Sequence, residues 1–193
     1  MYSDINRPGN KMSIESVLEG CRSNDRKAQE MLYRSFSSKM MAVCLRYANS
    51  RFEAEDMLQQ GFIKVFRNIE QFAAKGSLEG WVRRIMVNTA IELSRKNINF
   101  QDIDEVKESS LSVSQLFEID GLEVKDLLKM IQELAPGYRL VFNMYAIEGF
   151  SHKEIARALN ISENASKSQL SRARMRLQER IKLMEGEVNG IRS

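Results

Sequence analysis

The segment Ser151–Arg176 constrains the fold more than any other part of the chain, because it has the pattern of two short helices joined by a tight turn. Ser151 and Glu154 form an S-x-x-E capping box, in which each side chain satisfies a backbone N–H at the position of the other. The triplet at 160–162 interrupts the helical pattern, and Ser162 is a second N-cap candidate. This is the arrangement of a helix-turn-helix, whose second helix enters the major groove of duplex DNA.

The second helix of this motif carries the side-chain types that contact DNA. Residues 151–185 contain eight Lys or Arg and four Glu, a net charge of +4. Serine, asparagine, glutamine, lysine and arginine can donate hydrogen bonds to base edges or phosphates. Duplex DNA is therefore the favoured partner, although capped hairpins with a polar face also occur in all-α proteins that do not bind DNA. The residues expected on the outer face are Asn164, Ser166, Lys167, Ser168, Gln169, Ser171, Arg172 and Arg174.

The remaining sequence predicts an all-α protein. Only two prolines occur in 193 residues, at positions 8 and 136, and no strand-like alternation is present. Apolar runs are far shorter than a bilayer span and no signal peptide opens the chain, so a soluble cytoplasmic protein is expected. Cys21 and Cys44 lack the spacing of a metal site and are expected to be small buried side chains in a reducing cytosol. We expect neither a metal nor a cofactor.

An acidic, serine-rich stretch divides the chain into two helical blocks. Residues 97–120 contain six acids and one base, Lys107, and lack a sustained helical period. Such a composition is typical of an extended linker. We therefore expect two small helical domains joined by this linker, the second domain ending in the helix-turn-helix. The predicted segments are a tail at 1–12, a domain at 13–96, the linker at 97–120, a domain at 121–185 and a tail at 186–193.

The first block offers two candidate surfaces. A helix is predicted over Glu53–Ile69, and its outer side shows polar residues around Ile63, an apolar side chain that could seat a protein partner. A loop containing two glycines follows, and then a helix over Trp81–Arg95 with a second face formed by Arg84, Asn88, Ile91 and Arg95. This face is either a solvated basic surface or a track for single-stranded DNA, with the loop enclosing an unstacked base.

Taken together, these segments resemble an extracytoplasmic-function sigma factor, the smallest class of sigma subunits of bacterial RNA polymerase. The matching stretches are DRKAQEMLY at 25–33, AEDMLQQGFIKVF at 54–66, GWVRRIMVNTA at 80–90 and the segment Tyr138–Leu177. Four separate stretches agree in order from Ser13 to Ile181, with the linker where the family has one. The resemblance implies a protein that binds the polymerase core and directs promoter-specific initiation, and it adds a membrane-associated anti-sigma factor as a candidate partner.

The resemblance also implies roles for individual residues. The helix over Glu53–Ile69 would dock on the clamp helices of the largest polymerase subunit. The residues expected in that contact are Asp56, Gln59, Gln60, Ile63 and Arg67. The segment Phe72–Lys96 would melt the −10 element and hold a base of the non-template strand. The residues expected there are Phe72, Lys75, Gly76, Ser77, Trp81, Arg84, Asn88, Arg95 and Lys96. The recognition helix would read duplex DNA of the −35 element. The residues expected nearest that DNA are Asn164, Ser166, Lys167, Gln169, Arg172 and Arg174.

Other classes of protein remain open from the residues alone. A helix-turn-helix regulator could bind DNA as a dimer, with the first block as a sensor. A helical adaptor could use Ile63 to bind a protein without any role for DNA. An enzyme is the least favoured class, because the sole histidine, His152, lies in a helical first turn without a surrounding acid–base or nucleophile constellation. His152 is expected to be a surface residue.

Overall fold

The computed structural model describes residues 13–74, 76–96, 98 and 124–190. Eight α-helices span most of this described part, and no strand occurs within it, which confirms the all-α prediction. Their bounds are α1 Ile14–Arg22, α2 Arg26–Tyr47, α3 Arg51–Arg67, α4 Leu78–Lys96, α5 Val124–Glu133, α6 Pro136–Phe142, α7 His152–Leu159 and α8 Glu163–Gly190. A 3-10 turn at Ile69–Gln71 follows α3, and a π-helical turn at Asn143–Ile147 continues α6.

The contacts between Cα atoms divide the chain into two compact units, Met1–Leu93 and Ser94–Ser193. The predicted linker lies outside the described residues, apart from Ile98, and the same holds for the tail at 1–12. The helix α8 continues to Gly190, beyond residue 185, where the sequence predicts the end of the second domain. No proline occurs after Pro136 to end this helix, and a glycine within a helix costs only about 1 kcal/mol.

The first unit is held together by apolar side chains of its helices. The helix α2 packs against both α1 and α3. Short polar side chains begin these helices, because each accepts a hydrogen bond from an otherwise unpaired backbone N–H of the first turn. Asp25 accepts from the N–H of Lys27 at 2.8 Å, and Ser50 accepts from that of Glu53 at 3.1 Å. The fully buried large side chains of this unit are Leu32, Met40, Tyr47, Met57 and Met86.

A close approach between α3 and α4 depends on Gly61. This glycine is buried, and a Cβ atom added to it would overlap with the sulfur and terminal methyl of Met86. Met86 is itself fully buried, so its side chain has little room to move away. The glycine therefore allows the inner face of α3 to meet α4 closely, while the opposite face of α3 stays exposed.

The second unit is built around α8, which packs against α5, α6 and α7. The inner stripe of α8 comprises Leu170, Ala173, Leu177 and Ile181, which are all buried. Gly149, which follows the π-helical turn, has a φ of 77°, in the left-handed region that glycine enters at little cost. The outcome is a small helical domain whose last two helices form the predicted hairpin.

Both cysteine thiols are buried, as the sequence predicts. Desolvation raises the pKa of Cys44 to about 12 and also raises that of Cys21, so both remain protonated near neutral pH. The described residues contain no group of three or more His, Cys, Asp or Glu side chains that could hold a metal ion. None of the helices within those same residues is long and apolar enough to cross a membrane.

Candidate functional site

The exposed face of α3 borders a concave groove with a volume of about 630 Å³. The side chains that line it, here called the α3 groove, are Tyr33, Phe52, Glu55, Asp56, Gln59, Phe62, Ile63 and Phe66. Three of the five residues predicted for the polymerase contact are thus brought together in one groove. Gln60 does not line the groove, but its amide donates a hydrogen bond at 3.0 Å to the carboxylate of Asp56, which does. Arg67 is exposed but does not line the groove.

The apolar part of the α3 groove is larger than the sequence suggests. Phe52 is 82% exposed, Ile63 43% and Tyr33 39%, which places three large apolar side chains at the surface. The ring of Phe62 lies 4.6 Å from that of Tyr33 and 6.1 Å from that of Phe66, measured between centroids. Exposed apolar patches with a polar border are typical of protein–protein contact sites.

Phe52 and Tyr33 are absent from the residues predicted for this contact. A sequence signal for Phe52 does exist, because positions 52, 56, 59 and 63 follow one another at helical spacing and so share one face of α3. Tyr33 comes from α2, and only the packing of α2 against α3 brings it to the groove.

The loop before α4 is shaped by its backbone and by one cap. Gly76 has a φ of 147°, a conformation that side-chain-bearing residues rarely adopt. The hydroxyl of Ser77 accepts a hydrogen bond from the N–H of Gly80 at 2.9 Å and so caps the start of α4. Lys75, which was predicted to contact DNA, lies outside the described residues.

Phe72 and Trp81 pack on each other at the base of this loop. Their ring centroids are 5.5 Å apart, Phe72 is buried and Trp81 is half-buried. The carbonyl of Phe72 also accepts from the guanidinium of Arg22 at 3.4 Å. The two rings therefore support the loop from beneath, and Phe72 offers little free ring surface to a base.

The outward face of α4 carries the other residues predicted for −10 DNA. Arg84, Asn88, Arg95 and Lys96 are exposed, as predicted, whereas Ile91 is buried and does not belong to that face. Arg84, Asn88 and Arg95 recur at helical spacing along one side of α4. This part of α4 offers two arginines and an amide to a ligand along about three helical turns.

The predicted helix-turn-helix is present with both of its caps. Ser151 and Glu154 form the predicted capping box, with the Ser151 N–H donating to the Glu154 carboxylate at 2.8 Å. Hydrogen bonds from the side chain and backbone of Ser151 lower the pKa of Glu154. Asn160 ends α7 in the left-handed conformation, with a φ of 57°, and the Ser162 hydroxyl accepts from the N–H of Ala165 at 2.9 Å. The turn is thereby fixed at both ends.

The predicted outer face of α8 is only partly exposed. Asn164 and Lys167 are exposed, and Arg172 and Arg174 are half-buried. The prediction is wrong for the exposure of the four residues that are buried, Ser166, Ser168, Gln169 and Ser171. Ser166 continues the inner stripe of Leu170 and Ala173 toward the start of α8, and a small hydroxyl-bearing side chain fits there because it has a hydrogen-bond partner.

That partner is His152, the first residue of α7. Its Nδ1 atom and the Ser166 hydroxyl share a hydrogen bond of 2.9 Å. The His152 ring also stacks on Tyr145, with 4.6 Å between centroids and 23° between planes. His152 is accordingly half-buried and bonded, which corrects its prediction as a surface residue.

Two tyrosines hold the arginines of α8. The Arg172 guanidinium donates to the Tyr138 hydroxyl at 3.2 Å, and the Arg174 guanidinium lies 5.8 Å from the centroid of the Tyr145 ring. Neither tyrosine was predicted at the site, because only the folded arrangement of α6, the π-helical turn and α8 brings them near these arginines.

Two family models match successive segments of the chain, one for each of the two helical blocks. Residues 32–98 match Sigma-70 region 2, and residues 125–177 match Sigma-70, region 4. Together the matches cover more than half of the chain. The chain belongs to the sigma-70 factors. The α3 groove and α4 lie in its region 2 match, and the helix-turn-helix lies in its region 4 match.

Relatives that are named extracytoplasmic-function (ECF) sigma factors identify the class within this family. This sigma factor is 27% identical over 154 residues to the ECF RNA polymerase sigma factor SigE of Mycolicibacterium smegmatis, covering 77% of this chain and 59% of the relative. It is 25% identical to the ECF RNA polymerase sigma-E factor of Haemophilus influenzae, covering 89% and 96% of the two chains. A solved structure of the sigma factor RpoE in complex with the anti-sigma factor NepR, from Bartonella quintana, is 21% identical with a TM-score of 0.44 over 86% of this chain and 92% of that chain.

Proposed function

We propose that this sigma factor binds core RNA polymerase and directs initiation by reading −35 duplex DNA and by melting and capturing the −10 element. The observation that carries the proposal is the order of the two family matches, with an exposed apolar groove in region 2 and a capped helix-turn-helix in region 4. The proposal assigns residues 13–96 to the first domain, 97–120 to the linker and 121–185 to the second domain.

The α3 groove is the proposed contact with the polymerase core. A complex is stabilised when a partner covers large apolar side chains that are exposed in the free protein, because their surface is removed from water. Aromatic side chains often contribute most of the binding energy at such interfaces. Phe52 and Ile63 would supply the apolar contact, and Asp56, Gln59 and Gln60 the polar part of the interface. Arg67 lies one helical turn beyond Ile63, where it would contribute at the edge.

The loop and α4 are the proposed −10 surface. Arg84 and Asn88 are exposed on one side of α4, where they could follow the backbone of an unpaired strand. Gly76 and Ser77 define the loop that would surround an extruded base. Phe72 and Trp81 would act mainly by holding that loop in place, since their rings already pack on each other. Lys75, Arg95 and Lys96 stay predicted contacts.

The recognition helix α8 is the proposed −35 surface. Asn164 and Lys167 are exposed in its first two turns, the part of such a helix that reaches base edges in the major groove. Arg172 and Arg174, held by tyrosines, would contact phosphates. Gln169 would need to become accessible for a base contact. Ser166 would act through the packing of the helix start.

The two recognitions would operate together on the polymerase. Base contacts are each worth about 1–3 kcal/mol, and extruding a base costs a few kcal/mol, so neither small domain should bind a promoter tightly alone. Fixing both domains on one enzyme raises the effective concentration of the second contact once the first is made. The proposed site of action is the cytoplasm, where the polymerase works, and no cofactor or catalytic activity is proposed for the chain itself. A membrane-associated anti-sigma factor stays a predicted partner.

A comparison of DNA binding by the free protein and by its complex with core polymerase tests this function. Fluorescence anisotropy would measure the affinity of each for one promoter fragment and for a scrambled fragment of equal length. We expect weak, unselective binding by the free protein and selective binding by the holoenzyme. Tight, sequence-selective binding of duplex DNA by the free protein would contradict the proposal and favour a regulator that acts alone.

A further inference from the structure

Four side chains meet where the π-helical turn, α7 and the start of α8 come together. They are here called the His152 cluster and comprise Tyr145, His152, Ser166 and Arg174. His152 stacks on Tyr145 and shares a hydrogen bond with Ser166, and the guanidinium of Arg174 lies near the same Tyr145 ring. The cluster thus connects the first residue of α7 with the first turn of α8 and with a position eight residues further along α8.

Ser166 has the histidine as its side-chain hydrogen-bond partner. It is completely buried, on a stripe whose next members are the apolar residues Leu170, Ala173 and Leu177. A buried hydroxyl without a partner destabilises the arrangement that buries it. The bond to His152 satisfies the hydroxyl only while the starts of α7 and α8 keep their present separation.

Tyr145 extends the effect of His152 along α8. One residue of the π-helical turn contacts both His152 and Arg174. A rise of about 1.5 Å per residue puts Arg174 about 12 Å along the helix from Ser166. A shift of the histidine ring therefore changes both the start of α8 and the support of an arginine that is a predicted DNA contact.

We propose that His152 is a positioning residue for −35 recognition, which sets the placement of α8 on duplex DNA through Ser166 and Tyr145 without contacting a base itself. The proposal rests on the function proposed above. It predicts that changes at His152 alter the affinity for −35 DNA specifically, rather than only the amount of folded protein.

The test uses holoenzyme reconstituted with full-length protein and two promoters, one intact and one with a scrambled −35 element. Initiation is measured against promoter concentration, which separates the half-saturating concentration from the maximal rate. His152→Phe keeps an aromatic ring against Tyr145 but leaves the Ser166 hydroxyl without its present partner. The double variant His152→Phe with Ser166→Ala removes that hydroxyl, and Lys129→Ala, at an exposed position of α5, is the matched control.

We expect His152→Phe to raise the half-saturating concentration of the intact promoter about tenfold, which corresponds to about 1.4 kcal/mol. On the scrambled promoter it should leave that concentration unchanged. The double variant should return within about threefold of the wild type, because no buried hydroxyl is then unpaired. Lys129→Ala should match the wild type on both promoters.

Two results would overturn the positioning role. One is an unchanged half-saturating concentration for folded His152→Phe, with folding checked by circular dichroism. The other is an equal loss on both promoters, which would indicate a general effect on folding. If the wild type itself fails to distinguish the two promoters, the proposed −35 function fails first, and the inference fails with it.

Discussion

Replacing Phe52 by alanine should weaken the association of the protein with core polymerase. Phe52 is 82% exposed in the free protein. Complete burial of a phenylalanine side chain removes at least about 150 Å² of its surface from contact with water. Covering the exposed part therefore removes about 120 Å², which is worth ~3 kcal/mol at about 25 cal/mol per Å². Alanine keeps part of this contact, so the expected loss is about 2 kcal/mol, or roughly a 30-fold rise in Kd.

The assay would titrate labelled protein with core polymerase and read fluorescence anisotropy for the wild type, Phe52→Leu and Phe52→Ala. We expect an intermediate Kd for leucine, because it keeps more apolar area than alanine. Lys27→Ala, at an exposed position on the first turn of α2 outside the groove, is the control. Since Phe52 is hardly buried in the free protein, all variants should unfold at nearly the same temperature. Wild-type affinity of folded Phe52→Ala would refute the assignment of the α3 groove to the core contact.

Three further predictions concern other parts of the chain. Gly61→Ala should lower the unfolding midpoint by an amount equivalent to about 1–3 kcal/mol, because the added methyl overlaps with a buried methionine of α4; an unchanged midpoint in differential scanning calorimetry would show that α4 adapts freely. Lys167→Ala and Arg172→Ala should each reduce −35-dependent transcription in reconstituted assays and leave core association unchanged, whereas lost core association would contradict their assignment. The pKa of Glu154 is lower in the folded protein than its ordinary value of about 4.5. The ionised carboxylate therefore stabilises the folded state fully above that ordinary pKa, and this stabilisation is lost as the pH falls through the pKa of the folded protein. Glu154→Gln should make the unfolding temperature depend less on pH under acidic conditions, because glutamine does not ionise. The same pH dependence in the variant and the wild type would count against the capping interaction.

Local signals in the sequence predict the helix-turn-helix well. The capping box of Ser151 and Glu154 needs only a spacing of three residues, and the turn at Asn160 needs only a residue that tolerates positive φ. The inner stripe of α8 follows from helical periodicity. These features depend on neighbours within one or two turns, and the structure has all of them.

The same local reasoning places Ser166 on the wrong face. Serine is ordinarily an exposed residue, so its polar character outweighed its position four residues before Leu170 on the inner stripe. Its burial depends on His152, which lies 14 residues away and on another helix. Helical spacing alone would have indicated the inward orientation, but not the histidine that makes it favourable.

The candidate surfaces were predictable in position but not in full composition. Ile63 marked the exposed side of α3, yet Tyr33 reaches the groove only because α2 packs beside α3. Tyr145 depends on a π-helical turn, a feature without a sequence signal of its own. Long-range packing thus decides which side chains complete a surface whose location periodicity already indicates.

A reconstituted transcription assay would decide whether this protein acts as a sigma subunit. Purified protein would be mixed with bacterial core polymerase on a library of promoter fragments, and the transcripts from each fragment would be counted with and without the protein. We expect initiation from a subset of fragments that depends on the added protein and that shares two short sequence elements. Failure of the core to bind the protein or to initiate selectively on any fragment would contradict the account and favour a DNA-binding regulator that acts without the polymerase.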